Sequence, residues 1–377
     1  MPGKHAVCSA SSSARWIRCP QSARINAESG DQSSSYAQQG TDAHTMCEYL
    51  LRKALGQEAE DPTENLTWYN SEMEECCEGY RDFVMEQLEE IRQTCSDPFV
   101  GIEQRLDYSR WVPEGAGTGD CVIVADDLLH IIDFKYGVGI LVGADHNSQL
   151  MCYALAALDT FSGLYNIRRV RLSIFQPRRE NVSTWETNAE ELLRWGDEVL
   201  APAAELAYAG KGDFCAGDHC QFCSIRETCR ARAEYNMDLM RYELEDPAEL
   251  TDEEIADILP KIDSLVSWAA DVKDFALQQA LNGTAYPGFK VVEGRSIRKY
   301  TDEDAVASAV LAAGYDPYEK KVLGITAMTK TLGKKQFEEL LGGYIIKPRG
   351  KPVLAAESDE RPEYINVTND DFENLEE

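Results

Sequence analysis

No run of about 18 apolar residues occurs in the 377-residue chain, so the sequence offers no membrane-spanning helix. The opening residues, MPGKHAVCSASSSARW, contain no apolar stretch of signal-peptide length. Export is therefore not expected, and a cytoplasmic location is. Positive charge is scarce: 37 Lys and Arg stand against 66 Asp and Glu, a net charge of −29. That balance argues against a protein that coats nucleic acid through bulk electrostatics, but not against an enzyme with a local basic groove. There is no internal repeat. With no export signal, the twelve cysteines do not read as a disulfide framework. Cys8, Cys47, Cys76, Cys77, Cys95, Cys121 and Cys152 are scattered through apolar or helical patterns and read as reduced thiols. The other five need a separate explanation.

The length allows two or three domains, and a hydrophobic content of 44% is ordinary for a folded protein. Apolar residues at helical spacing predict helices over 37–56 and 70–94, with His44 on the first. A strand is expected over 99–111, with Glu103 inside it, followed by a Gly/Pro loop over 113–119. Further strands are expected at 121–125, 128–134, 170–175 and 182–186. Helices are expected at 145–160 and 189–209. Alternating helices and strands of this kind imply an α/β core with a mixed sheet. The pattern divides into a core over 1–240, a helical linker over 241–285 and a small α+β module over 286–377 with an acidic tail. The acidic runs at 243–254 and 357–377 read as solvated surface. The segment 167–179 is basic instead, carrying Arg168, Arg169, Arg171, Arg178 and Arg179.

The chemistry concentrates between Gly117 and Tyr153. Two apolar runs joined by Asp126-Asp127 read as a hairpin, and each carries a carboxylate where the apolar pattern breaks: Asp120 and Asp133. Side chains alternate along a strand, so Asp133 and Lys135 point one way and Phe134 points the other, into packing. A hairpin brings Asp120, Asp133 and Lys135 to one edge of the sheet. Two carboxylates and an ammonium are costly to bury there for stability alone. A divalent cation removes that cost, and a nearby lysine can hold or deprotonate a water. Gln149 and Tyr153, four apart, share one face of the following helix.

Cys215, Cys220, Cys223 and Cys229 form C-x4-C-x2-C-x5-C, a dense metal-ligand spacing. Only one C-x2-C pair is present. The fourth ligand to that pair and Cys229 is therefore open between Cys215, Cys19 and His219, and so is the choice of metal.

Taken together, the residues resemble the RecB-like branch of the PD-(D/E)XK nucleases. They are Cys19 in WIRCP, His44 after a glycine on a helix, GTGD with Asp120, IDFK with Asp133 and Lys135, Q-x3-Y with Gln149 and Tyr153, and C-x2-C-x5-C. The closer resemblance is to members with an iron–sulfur cluster, such as the CRISPR-adaptation exonucleases and the helicase–nuclease AddB subunit. It covers roughly residues 14–232. The whole chain, including PGFKVVEGRS at 287–296, also looks like an uncharacterised phage and prophage protein family.

The resemblance implies a restriction-endonuclease-like core, a central mixed sheet flanked by helices. It implies His44, Asp120, Asp133 and the main-chain carbonyl of Phe134 as ligands of Mg²⁺ or Mn²⁺, with Lys135 positioning or activating the attacking water. Gln149 would orient the site and Tyr153 would contact the nucleic-acid strand. Glu103 matches a recurrent acidic position whose role stays open. Cys19, Cys220, Cys223 and Cys229 would hold a 4Fe–4S cluster as a structural staple, with Cys215 a possible substitute ligand and Zn²⁺ the alternative metal. Arg178 and Arg179 are candidate DNA-backbone contacts.

The expected activity is metal-dependent hydrolysis of DNA phosphodiesters, as an exonuclease, in phage DNA recombination or processing within a bacterial host. A phage recombination, single-strand-binding or annealing protein is a candidate partner. An imidazole ligand tilts the metal preference towards Mn²⁺. The alternatives are a catalytically weak DNA-binding recombination scaffold and a zinc-bearing interaction module.

Overall fold

The computed structural model describes residues 6–29, 35–239, 250–293, 300–318 and 322–346. The acidic tail and residues 243–249 of the first acidic run lie outside the described residues. The chain forms two units, Met1–Val292 and Glu293–Glu377.

The first unit is built on five strands: β1 (Phe99–Asp107), β2 (Ala116–Ala125), β3 (Leu128–Phe134), β4 (Arg169–Gln176) and β5 (Asn181–Asn188). They lie in sequence order in one sheet. Every neighbouring pair is antiparallel except β3–β4, which is parallel. A parallel pair needs a crossover, and helix α5 (Ser148–Phe161) supplies it. Asn147 starts that helix by accepting hydrogen bonds from the N–H groups of Gln149 and Leu150. Numbered in chain order, the preceding helices are α1 (Ser13–Trp16), α2 (Gln21–Glu28), α3 (Ser35–Ala54) and α4 (Ser71–Arg92). After β5 come α6 (Ala189–Trp195), α7 (Ala201–Ala209), α8 (Arg230–Met237) and α9 (Asp252–Leu281).

Period-two alternation sorts the strand residues onto two cores. Val122, Val124, Leu129, Ile131, Leu172 and Ile174 pack with α5, α6 and α7. Cys121, Ile123, Ala125, Ile132 and Phe134 pack under α3 and α4, with Tyr80 and Leu88. β3 is buried along its whole length, which is why its sequence reads as a continuous apolar run. The expected strand over 99–111 stops at Asp107, because Trp111 and Val112 turn back to donate to the carbonyl of Tyr108.

His130 sits in β3 with no exposure. One ring nitrogen bonds Ser173 Oγ at 2.9 Å and the other has no partner. Burial, helped by the charge of Arg171, lowers its pKa to about 3. A base depressed in the folded state contributes stability that is complete above its unfolded pKa near 6.5. That stability is lost as pH falls towards 3. The loss amounts to about 4–5 kcal/mol at 1.36 kcal/mol per unit. His130→Gln is expected to flatten the acid limb of denaturant midpoint against pH between pH 6.5 and 3. An unchanged limb would assign the acid sensitivity elsewhere.

The expected helical linker over 241–285 is helical over Asp252–Leu281, and that helix, α9, belongs to the first unit, tied to α8 by the buried Arg232, whose Nη1 lies 2.6 Å from Asp271 Oδ2. The second unit was expected to be α+β. Its described residues contain helices α10 (Glu303–Ala312), α11 (Ile325–Leu332) and α12 (Lys334–Leu341) and no strand. Alanine-rich DAVASAVLA and the KKQFEELL repeat of apolar residues both have helical period, which outweighs the β-branched residues between them. No helix among the described residues is long and apolar enough to cross a membrane.

Candidate functional site

Asp120 lies in the β2 segment that pairs with β1. The ladder runs Ile102↔Cys121 and Gln104↔Gly119, so Glu103 falls directly opposite Asp120. Glu103 has φ +48°, a left-handed backbone that a side chain rarely adopts. Like charges facing each other across a ladder repel. Their carboxylate oxygens come within 4.8 Å of each other, so with both ionised the repulsion is at least about 3 kcal/mol for an effective dielectric near 20. The backbone strain adds about 1–3 kcal/mol. Neither cost helps the fold.

His44 reaches the same point from α3. Its Nδ1 is 3.3 Å from Asp120 Oδ1, with the imidazole a third exposed and the carboxylate 11% exposed. Its ring meets Phe134 edge-on, with centroids 5.6 Å apart. One ligand atom each from His44, Glu103 and Asp120 lie within 4.8 Å of one another. Among the described residues this is the one such group of three or more His, Cys, Asp or Glu side chains.

The electrostatics follow from this crowding. Burial disfavours the His44 imidazolium, but the charge and hydrogen bond of Asp120 outweigh it and raise the pKa to about 9. Burial also pushes against ionised Asp120; His44, Lys135 and the Phe134 N–H reverse that and hold it below its usual value. Glu103 goes the other way, to about 7, through burial and the charge of Asp120. The site thus keeps one carboxylate charged and its neighbour half protonated near neutrality.

Asp133 and Lys135 stand beside the trio at the C-terminal end of β3. Asp133 is 2% exposed. Its Oδ2 faces Lys135 Nζ at 2.8 Å but accepts no well-directed hydrogen bond. Burial dominates and raises the Asp133 pKa despite the lysine. Burial pulls the lysine pKa down, but the charge and hydrogen bond of Asp133 together with the charge of Asp120 outweigh it and raise it. Gln149 on α5 joins the two: its Oε1 accepts from Lys135 Nζ at 3.0 Å and its Nε2 donates to Asp133 Oδ1 at 3.3 Å. The same Nε2 reaches the Tyr153 hydroxyl at 3.4 Å. Tyr153 is only 6% exposed. Its ring seats against Gly117, where a Cβ would come within 2.8 Å. The hairpin is closed by the Phe134 N–H donating to Asp120 Oδ2 at 2.7 Å.

The fold therefore gathers every side chain expected at the catalytic edge. It also adds Glu103, whose role the sequence reading left open. Its signal was a carboxylate inside an apolar strand run, but only the β1–β2 register shows what it faces. A divalent cation fits the trio's donor set, two carboxylates and an imidazole nitrogen; Asp133 stands beside it, with its Oδ2 facing Lys135.

The five remaining cysteines lie together in the first unit. Cys19, Cys215, Cys220, Cys223 and Cys229 line one small cavity together with Arg15, Ser22 and His219. Cys19, Cys220 and Cys223 are buried, whereas Cys215 is exposed. The Cys215 N–H points at Cys19 Sγ, 3.5 Å away, while its own sulfur meets only a neighbouring carbonyl. His219 turns its Nε2 to the Cys215 carbonyl. Segment 13–29 is clasped onto this loop at several points. Arg15 donates to the Phe222 carbonyl at 2.7 Å, Gln21 to that of Gly212 and Arg24 to that of Tyr208. Asn26 accepts from the Ser224 N–H.

The basic segment does not form one rim. Arg171 pairs with Glu186 and Glu90 near the start of β4. Arg178 lies past the other end of β4, stacked over Tyr136 and bonded to Glu72, while Arg179 donates to the Val138 carbonyl. Only these last two lie at the end of the sheet that carries Lys135.

Fold and site define an α/β protein with a candidate metal centre on a five-stranded mixed sheet flanked by helices. The chain belongs to the family described as "Protein of unknown function (DUF2800)", whose model matches residues 5–362. Among solved structures it is similar to one titled "Crystal structure of SSO0001". That match has 15% identity, covers 51% of this chain and 98% of that one, and has a TM-score of 0.21, a likeness too slight to argue from.

Proposed function

We propose that the protein is a metal-dependent deoxyribonuclease with a PD-(D/E)XK-type core that hydrolyses phosphodiester bonds. The observation that carries this reading is the convergence of His44, Glu103 and Asp120 beside the Asp133–Lys135–Gln149 chain, where charge repulsion and backbone strain serve no purpose in the fold. His44, Glu103, Asp120 and Asp133 would hold Mg²⁺ or Mn²⁺, which supplies Lewis-acid polarisation of the phosphate and acidifies water. Lys135 would hold a water and offset charge developing on the phosphate oxygens. Gln149 fixes the lysine ammonium and the Asp133 carboxylate in register.

In the same reading Cys19, Cys220, Cys223 and Cys229 hold a 4Fe–4S cluster that locks segment 13–29 to the end of the nuclease core. Cys215 contributes its N–H rather than its thiolate. Action in phage DNA processing rests on the family resemblance.

The test is metal analysis and cleavage on one anaerobic preparation. Iron with labile sulfide, and release of labelled nucleotides from DNA only when Mn²⁺ or Mg²⁺ is added, are expected. Intact DNA under every metal condition would reject the enzyme and favour a binding scaffold.

A further inference from the structure

Arg15 is a half-buried cation with no acid beside it. Its Nη1 donates to the Phe222 carbonyl at 2.7 Å, while its Nε is fully buried and has no acceptor. Neighbouring guanidiniums are matched: Arg226 pairs with Glu227 and Asp271, and Arg232 with Asp271. Arg15 has no such ion pair among the described residues. A buried charge and a buried donor left unpaired both cost stability. We infer that Arg15 is the counter-charge of the metal-loaded cysteine site, giving its Nε–H to a ligand sulfur and raising the reduction potential of the cluster held there. The inference rests on the reading of these cysteines as an iron–sulfur site, and it does not depend on DNA cleavage.

Three observations put the anion at the cysteines. Arg15 lines the same small cavity as Cys19, Cys215, Cys220, Cys223 and Cys229. It also stands one helical turn before Cys19, whose N–H bonds the Arg15 carbonyl at 2.9 Å, so the two side chains share a face. Burial pulls the guanidinium pKa down, and the charges of Cys223 and Cys19 pull against it. Neutral donors already address those two sulfurs. The Cys215 N–H lies 3.5 Å from Cys19 Sγ, and Asn26 Nδ2 lies 3.6 Å from Cys223 Sγ. A thiol accepts hydrogen bonds weakly, whereas a thiolate is a charged acceptor, so donors gathered on these sulfurs suit the metal-loaded state.

The sign of the effect follows from charge. A 4Fe–4S core on four thiolates carries about −2 when oxidised and about −3 when reduced. A cation beside it favours the more negative form and so raises the potential. Buried charges are screened less than exposed ones. Arg18, three residues on in the same segment and exposed, supplies the comparison.

The experiment is a redox titration of full-length protein, purified anaerobically, with dithionite as the one-electron donor and the reduced cluster read by electron paramagnetic resonance. At the wild-type midpoint, Arg15→Gln is expected to lower the ratio of reduced to oxidised cluster at least tenfold, a shift of about 59 mV for one electron. Glutamine can still donate to the Phe222 carbonyl, so a residue that only clasps the segment would leave the ratio unchanged. Arg15→Lys keeps the charge and is expected to stay within threefold of wild type. Arg18→Gln is expected to do the same. A wild-type ratio in Arg15→Gln, or an equal loss in Arg18→Gln, overturns the inference. Should Arg15→Gln lose its iron, Arg15→Lys decides: iron held at a near-wild-type ratio supports the counter-charge, and iron lost there too assigns Arg15 to the fold alone. Zinc without iron in the wild-type protein would sink the cluster reading by itself. The counter-charge is then read from zinc release to a chromophoric chelator, expected at least tenfold faster in Arg15→Gln, and an unchanged rate overturns it.

Discussion

Asp120→Asn should lower metal-dependent DNA cleavage by at least 10³-fold, about 4 kcal/mol of barrier. The substitution keeps the side-chain volume and can still accept the 2.7 Å hydrogen bond from the Phe134 N–H. What it removes is the charge that faces Glu103 across the ladder and that pairs with His44. For stability these two losses oppose each other. Repulsion from Glu103 disappears, and so does attraction to His44, so the melting temperature should move by no more than a few degrees. A structural carboxylate would behave differently: its loss would cost stability and leave the chemistry intact. Glu103→Gln is the companion. It removes the same repulsion and leaves the His44–Asp120 pair, so it should raise the melting temperature of metal-free protein while weakening Mn²⁺ binding. Cleavage by well-folded Asp120→Asn protein within tenfold of wild type would remove the centre from the proposed function.

Cys19→Ala should remove the iron and the broad absorption near ~400 nm, and lower the melting temperature by about 5–8 °C. A bound cluster contributes its binding free energy to folding. A loss of about 3–5 kcal/mol corresponds to such a shift in a unit of this size. The effect should be large because Cys19 joins segments about two hundred residues apart. Without the cluster, segment 13–29 would be held by hydrogen bonds such as those of Arg15, Gln21, Arg24 and Asn26 and by the packing of the buried Trp16 and Ala23. Cys215→Ala is the control: an exposed sulfur with no role as a ligand should be dispensable. Iron retained in Cys19→Ala, or lost in Cys215→Ala, would reverse the ligand assignment.

Much of the candidate centre was legible from the chain because it is local. Asp120, Asp133 and Lys135 sit on one hairpin, and a period of two decides which side chains share a face. The turn at Asp126-Asp127 then sets the register, as the pairing of Ala125 with Leu128 shows. Gln149 and Tyr153 were readable for the same reason, being four apart on a helix that follows the second strand. The 286–377 module was less legible. Its short apolar runs suit either period, and its described residues turned out helical.

By itself, then, the order of residues determined the hairpin, its two carboxylates and lysine, the helix behind them and the dense cysteine loop. Each follows from steric alternation and turn chemistry acting over fewer than about twenty residues. Tertiary structure alone decided the rest. Glu103 meets Asp120 only because β1 pairs with β2 in one register. His44 arrives from a helix packed on the far face of the sheet. Cys19 reaches the Cys215 N–H across 196 positions of sequence. Such meetings depend on which buried faces find each other, and local periodicity carries no information about that.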